Sequence, residues 1–210
     1  FDMLNHRGPD YSNIYESSNM ILGHKRLSII DINDRSNQPY TDGKNFLLYN
    51  GEIYNFKSLK KSLAEKYKCT FITEGDTEVL FNGLKKEGIE FINKIDGMFS
   101  FCYINEKGKI FLARDKFGQK PLYYGFKDEA LVVGSELAPL IKFFKKQFLT
   151  INIESAKEYL KYGSSIAPLT FYNEIYQVMP SEFIEIDIPY KRVNKNIIYK
   201  TNNINNNISI

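Results

Sequence analysis

The sequence predicts an α+β domain in which antiparallel sheets are covered by helices. Two observations carry this. Strand-like runs come in neighbouring pairs joined by turn signals. Stretches with helical period lie between those pairs instead of alternating with single strands. The length of 210 residues suits one domain. The first strand-like stretch is 20–32, rich in Ile and Leu, followed by a short apolar run at 46–49 before Asn50-Gly51. Asn55 stands where a helix N-cap belongs, and Phe56, Leu59, Leu63 and Tyr67 follow at spacings of three and four. A second helix should start at Asp76, present Val79, Leu80 and Leu84, and stop at Gly88. Ile89, Phe91, Ile92 and Ile95 suggest a short third one. Residues 98–104 are almost wholly apolar, as in a strand buried on both faces, and 110–113 return after a turn at 105–108. Residues 122–126 and 130–134 form another pair. Helices are expected at 136–145 and at 153–162, the latter closed by Gly163. Residues 183–188 alternate apolar and polar, so one face should be solvated.

Composition narrows the function classes. Hydrophobic residues make up 43% and charged residues 25%, enough apolar surface for a folded core. Twenty-eight Lys+Arg oppose 25 Asp+Glu, with the signs interspersed. That argues against nucleic acid as a partner, which needs clustered basic residues. No apolar run reaches the ~18 residues of a membrane span. Cys69 and Cys102 are too few for a disulfide framework or a zinc site. The chain opens on Phe1 with no signal-peptide pattern. The expectations are a natural start further upstream and a cytoplasmic location. Residues 1–190 are expected to form the domain. Residues 191–210 should be a polar tail or linker, with five Asn in the last ten positions.

Five segments hold residue combinations that core-building does not require. They are His6-Arg7-Gly8-Pro9-Asp10, Arg26-Leu27-Ser28-Ile29-Ile30-Asp31, residues 49–55 around Asn50-Gly51-Glu52, Gly75-Asp76-Thr77-Glu78, and residues 113–123 around Arg114-Asp115 and Gly118. In order and content they resemble the glutaminase domain of glutamine-dependent asparagine synthetases, a class II glutamine amidotransferase of the N-terminal-nucleophile type. The resemblance spans residues 6 to 187. It implies an αββα sandwich of two mostly antiparallel sheets flanked by helices, lacking here its N-terminal strand. The activity it implies is release of ammonia from the side-chain amide of L-glutamine.

Such a site needs a cation for the α-carboxylate, an anion for the α-ammonium and donors for the amide oxygen. Arg26 suits the carboxylate, since a guanidinium fork matches it bidentately. Its ordinary reading is an exposed strand arginine. With the resemblance it becomes the clamp, and the backbone of Leu27, Ser28, Ile29 and Ile30 adds hydrogen bonds. Asp76 suits the ammonium, while helix capping alone would also place Asp there. Asn50 and Gly51 are the candidate oxyanion hole, where one donor is worth ~2.7–4 kcal/mol of barrier. The competing reading of Asn-Gly is a hairpin turn, but the helix pattern from Phe56 leaves no room for a second full strand. Glu52 would face the polar end of the substrate. His6 to Asp10 read as support for the pocket, Arg114-Asp115 as a buried ion pair, and Gly118 as a turn.

By resemblance the attacking group is an N-terminal Cys whose α-amino group acts as base. Residue 1 is Phe, and Cys69 and Cys102 are internal, both read as core filler, Cys69 within a strand beside Phe71. Losing a nucleophile costs on the order of a millionfold, so this chain by itself is expected to be inactive. The family's Ser-Gly-Gly-x-Asp-Ser phosphate loop is absent as well. The resemblance therefore assigns ATP and Mg to a C-terminal synthetase domain that is missing here, with no cofactor or metal in this chain. An unpaired sheet edge is a route to a homodimer. Two rival readings stand beside this one: a catalytically dead glutamine-binding or docking module, and an amidotransferase acting on a sugar or another carboxylate.

Overall fold

Apolar residues alternate along the strands and so supply two separate faces. The structure, a computed structural model, describes residues 2–28, 31, 33–188 and 192–198. In chain order its strands and α-helices are Tyr11–Glu16 (β1), Ile21–Arg26 (β2), Tyr40–Thr41 (β3), Phe46–Ile53 (β4), Phe56–Tyr67 (α1), Asp76–Glu87 (α2), Gly97–Ile104 (β5), Ile110–Arg114 (β6), Tyr123–Lys127 (β7), Ala130–Gly134 (β8), Leu137–Phe144 (α3), Ile153–Tyr162 (α4), Ile175–Gln177 (β9), Glu182–Asp187 (β10) and Arg192–Ile197 (β11). Three sheets result, all with antiparallel pairing: β11-β10-β6-β5-β4-β3, β8-β7-β9 and the hairpin β1-β2.

On one face of the six-stranded sheet, Leu47, Tyr49, Phe99, Phe101 and Tyr103 pack with Leu59 and Leu63 of α1 and Val79, Leu80 and Leu84 of α2. On the other, Cys102, Leu112, Ile184 and Ile186 meet Leu122, Tyr124 and Val178. Leu140 and Phe144 of α3 close on Ile175 behind the three-stranded sheet. The layers are helices, sheet, sheet, helix, as the resemblance implied. Residues 99–103 of β5 are buried throughout, which is why that run carries no polar alternation.

Several elements differ from the sequence reading. The run at 46–49 does not end at Asn50-Gly51. It continues to Ile53, with Asn50 opposite Ser100 and Gly51 opposite Phe99. The Gly51 backbone lies so close to β5 that a Cβ there would stand 2.1 Å from the Met98 carbonyl oxygen. Asn55 precedes α1 without capping it. Its side chain donates to the Lys94 carbonyl and accepts from the Asp96 N–H, so it ties two loops together. Residues 88–94 form a 3-10 helix, a form suited to a short connector after the turn at Gly88. Cys69 lies in no strand and packs half-buried against the helical layer. The 20–32 stretch is a strand only to Arg26, and Ile29, Ile30 and Ile32 lie outside the described residues. Arg192–Ile197, beyond the boundary expected at residue 190, pairs along its length with β10. The rest of the expected tail, from residue 199, lies outside the described residues.

Arg114 and Asp115 form no ion pair with each other among the described residues, because each serves the main chain instead. Arg114 donates to the carbonyls of Lys120 at 2.7 Å, Val178 at 2.7 Å and Gly118 at 2.5 Å. Asp115 accepts from the N–H groups of Phe99, Phe117, Gln119 and Lys120. Together they lock the turn that contains Gly118.

Candidate functional site

The end of β2, the middle of β4 and the first turn of α2 meet around a cavity of about 370 Å³. Arg26, Leu27, Asn50, Gly51, Glu52 and Asp76 all line it, brought together from three separate motifs. Ser28 does not line it, since its N–H is held at 2.7 Å by the Asp10 carboxylate. The Ile29 and Ile30 positions lie outside the described residues.

Arg26 is 7% exposed. Its Nη1 donates to the Asn33 carbonyl at 3.0 Å and to Asn37 Oδ1 at 2.7 Å, and its Nη2 donates to the Asp31 carbonyl. The guanidinium thus gathers the loop that follows β2. Five donors in a fork allow one side chain to gather several acceptors at once. Gly8 packs directly on this strand: a Cβ there would lie 2.5 Å from the Arg26 backbone. The segment from His6 to Asp10 thus packs against the strand that carries Arg26. His6 and Arg7 line the cavity, and both reach Glu136.

Asp76 is the first helical residue of α2, and Gly75 occupies the N-cap position, so the carboxylate is not a side-chain cap. Its Oδ2 accepts the Tyr49 hydroxyl at 2.7 Å and the Ile53 N–H at 2.9 Å. Burial pushes the Asp76 pKa up, although those two hydrogen bonds pull it the other way. Burial, with the Asp76 charge second, also pushes the Tyr49 phenol up. Asp76 is accordingly a buried carboxyl with no ion-pair cation among the described residues, at the positive end of a helix dipole.

Asn50 Nδ2 and His24 Nδ1 are buried atoms with no hydrogen-bond partner among the described residues. Both side chains belong to the cavity wall. Burial lowers the His24 pKa to about 4, the Arg26 charge works the same way, and a bond to the Tyr49 backbone opposes them. The imidazole is neutral at physiological pH. His24, Gln38, Tyr49 and Lys120 also line the cavity and were not among the residues expected from sequence. Gln38 clasps the Tyr49 main chain from both sides, Nε2 to the carbonyl at 3.0 Å and N–H to Oε1 at 2.6 Å.

A second, smaller cavity of about 160 Å³ shares Arg7, His24, Lys25, Tyr49 and Asn50 with the first and continues between the sheets past Leu48, Phe101, Cys102 and Leu122. Burial pushes the Cys102 thiol up to about 12, which leaves it unreactive. Neither Cys69 nor Cys102 lines the larger cavity. Among the described residues no group of three or more His, Cys, Asp or Glu could hold a metal ion. No helix among them is long and apolar enough to cross a membrane.

Known proteins resemble this chain in sequence and in fold. The family model for the glutamine amidotransferase domain matches residues 1–196. The chain is 40% identical over 142 residues to asparagine synthetase B [glutamine-hydrolyzing] of Escherichia coli K12, covering 66% of this chain and 25% of that protein. It is 32% identical over 191 residues to amidase chry2 of Gibberella zeae, covering 87% of this chain and 27% of that protein. Among solved structures, glutamine phosphoribosylpyrophosphate amidotransferase from B. subtilis superimposes with a TM-score of 0.57 at 22% identity, over 86% of this chain and 35% of that one. That likeness concerns the fold. The chain spans about a quarter of the length of these curated relatives.

Proposed function

The chain belongs to the glutamine amidotransferase domain family, and from that premise we propose that the cavity between β2, β4 and α2 binds L-glutamine and polarises the side-chain amide for release of ammonia. One observation carries the reading: Arg26, Asp76 and the unpartnered Asn50 amide nitrogen line one cavity, although they come from three distant motifs. In this reading Arg26 holds the α-carboxylate, with main-chain help from Leu27. Asp76 takes the α-ammonium, and Glu52 lies toward the same polar end. Asn50 Nδ2 and the Gly51 N–H donate to the amide oxygen as it gains negative charge, a task that preorganised donors perform in water-poor sites. A buried donor without a partner is costly in a folded protein unless a ligand completes it, so the Asn50 nitrogen supports the oxyanion role. The attacking group is neither Cys69 nor Cys102, since neither reaches this cavity.

The use made of the ammonia belongs to the whole protein. The resemblance assigns ATP and Mg to a synthetase domain, and the sequence 1–210 holds no phosphate-binding loop of the family type. The names of the relatives support amidation of a carboxylate by a synthetase domain, with aspartate as the first acceptor to test. An acceptor that is a sugar or another carboxylate is the second reading, since a relative matched over more of this chain, from Gibberella zeae, is named an amidase and not an asparagine synthetase.

Calorimetric titration of the full chain with L-glutamine tests the site. Binding is expected, and its loss in both Arg26→Ala and Asp76→Asn. Binding that neither variant changes would overturn the assignment.

A further inference from the structure

We propose that Asp31 is a positioning residue that sets the spacing between the two charged-end contacts of the cavity. The inference rests on Arg26 and Asp76 holding the two ends of glutamine. Asp31 touches both supports at once. Its main-chain carbonyl accepts from Arg26 Nη2. Its carboxylate Oδ2 accepts from the Glu74 N–H at 2.7 Å, 43 positions away in the chain. Glu74 is followed by Gly75, the N-cap of α2, and then by Asp76. One residue thus joins the guanidinium to the main chain that delivers the carboxylate.

Local turn formation does not account for this arrangement. The turn itself is served by Asp31 Oδ1, which accepts from Asn33 Nδ2 at 2.9 Å and from the Asn33 N–H at 3.4 Å. Arg35 Nε lies 3.3 Å from Oδ2. The bond to Glu74 is additional and long-range. The Asp31 side chain itself is 1% exposed. The backbone of Asp31 adopts φ +46°, a left-handed conformation that Asp and Asn tolerate and most side chains do not. Gly75 brings the helix entry against this loop: a Cβ there would stand 3.7 Å from the Asp31 Cβ and 3.5 Å from Ser36 Oγ. The charge of Asp31 is firmly held, since the Glu74 and Asn33 hydrogen bonds outweigh burial and keep its pKa well below the usual carboxylate range.

A spacing role predicts a selective defect. A ligand with both charged ends gains from correct spacing, whereas a ligand with one end does not. The probes are L-glutamine, its analogue without the α-amino group (4-carbamoylbutanoate) and its analogue without the α-carboxylate (4-aminobutanamide), titrated into the full chain by NMR. Asp31→Gly removes the carboxylate while keeping the left-handed backbone accessible. Asp31→Asn is the milder variant, with one side-chain oxygen for two sets of donors, and it decides the matter if the glycine variant does not fold. Glutamine affinity should fall by about tenfold or more, as misplacement of binding groups does, while each one-ended analogue changes by less than about twofold. Unchanged glutamine affinity, or equal proportional losses for all three ligands, would overturn the proposal. If Asp76→Asn and Arg26→Ala leave glutamine binding intact, the underlying reading fails instead, whatever the Asp31 variants do.

Discussion

Asp76 shows how one side chain can work against the fold and for the ligand. Its pKa in the folded chain is raised by burial, so folding favours the protonated form. The stability it contributes is present at low pH and is lost as pH rises through that raised value. At neutral pH the charge is therefore a burden, which a bound ammonium would relieve. Asp76→Asn keeps an oxygen for the Tyr49 hydroxyl and the Ile53 N–H. The variant should melt no lower than the parent at pH 7, with an advantage that shrinks toward about pH 4, where carboxylates protonate. Glutamine affinity should drop roughly 10- to 100-fold, the worth of a charge-assisted hydrogen bond. A variant that melts lower at pH 7 would refute the burial argument. Arg26, Asn50, Glu52 and Asp76 line one cavity, and the sequence singled them out only through the resemblance of ordered motifs to a known family, since each alone has an ordinary structural reading. Tyr49 was not singled out. It reads as an ordinary strand aromatic, and only the pairing of β4 against α2 brings its hydroxyl to a carboxylate 27 positions away. His24 and Gln38 were missed likewise: the role of His24 depends on the face it takes in β2, and Gln38 lies in the loop before β3, where only the tertiary fold brings it to Tyr49.

At the scale of elements, local period sufficed where one face is apolar. Leu59 and Leu63 mark α1, and Val79, Leu80 and Leu84 mark α2. It failed where main-chain pairing sets the structure. Nothing in Asn50-Gly51 announces a continuing strand, because glycine is required there by the closeness of β5 and not by a turn. Nor does β11 look like a strand. Its residues are mostly exposed and polar, as an edge strand's are. The turn after β6 is the clearest case of an element built by side chains serving the main chain. Arg114→Ala would strand three carbonyl acceptors, two of them in the loop 118–120. Unsatisfied buried groups cost about 1–3 kcal/mol each, and part of that loss relaxes. A net loss of about 3 kcal/mol would lower the melting temperature by roughly 6–12 °C in a chain of this size. Arg114→Lys should recover less than half, since a point-like ammonium cannot reproduce the fork. Full recovery by lysine in a thermal melt would show that charge, and not geometry, matters at this position.

Across the whole molecule, the two layers behind the site are fastened by different physics. The six-stranded sheet and its apolar partners contain few ionisable groups in their interior. The α1–α2 layer is tied down at its margins by carboxylates. Asp42 meets Lys85 of α2 at 2.6 Å, Asp31 holds the entry to α2 at Glu74, and Glu87 at the end of α2 binds Lys66 at 3.2 Å, the Tyr67 hydroxyl at 3.1 Å and Lys94. In Glu87 the Lys94 hydrogen bond leads in holding the pKa down. In Asp42 burial opposes, but the Lys85 and Asn45 bonds prevail, and Asp31 follows the same pattern. Each of these groups has a folded pKa below its unfolded one. The stability they contribute is complete above the unfolded value near 4 and is lost as pH falls toward the folded value. Asp76 acts in the opposite sense at the same helix and only partly compensates, being one group against three. Acid should therefore loosen the helical layer, and the Asp76 contact with it, before the sheet opens. Amide hydrogen exchange followed from about pH 6 down to about pH 3, corrected for intrinsic rates, should show protection falling in α1 and α2 while β5 and β6 remain protected. Loss of protection in all four elements together would mean that the layers form one cooperative unit and that these carboxylates do not fasten one to the other.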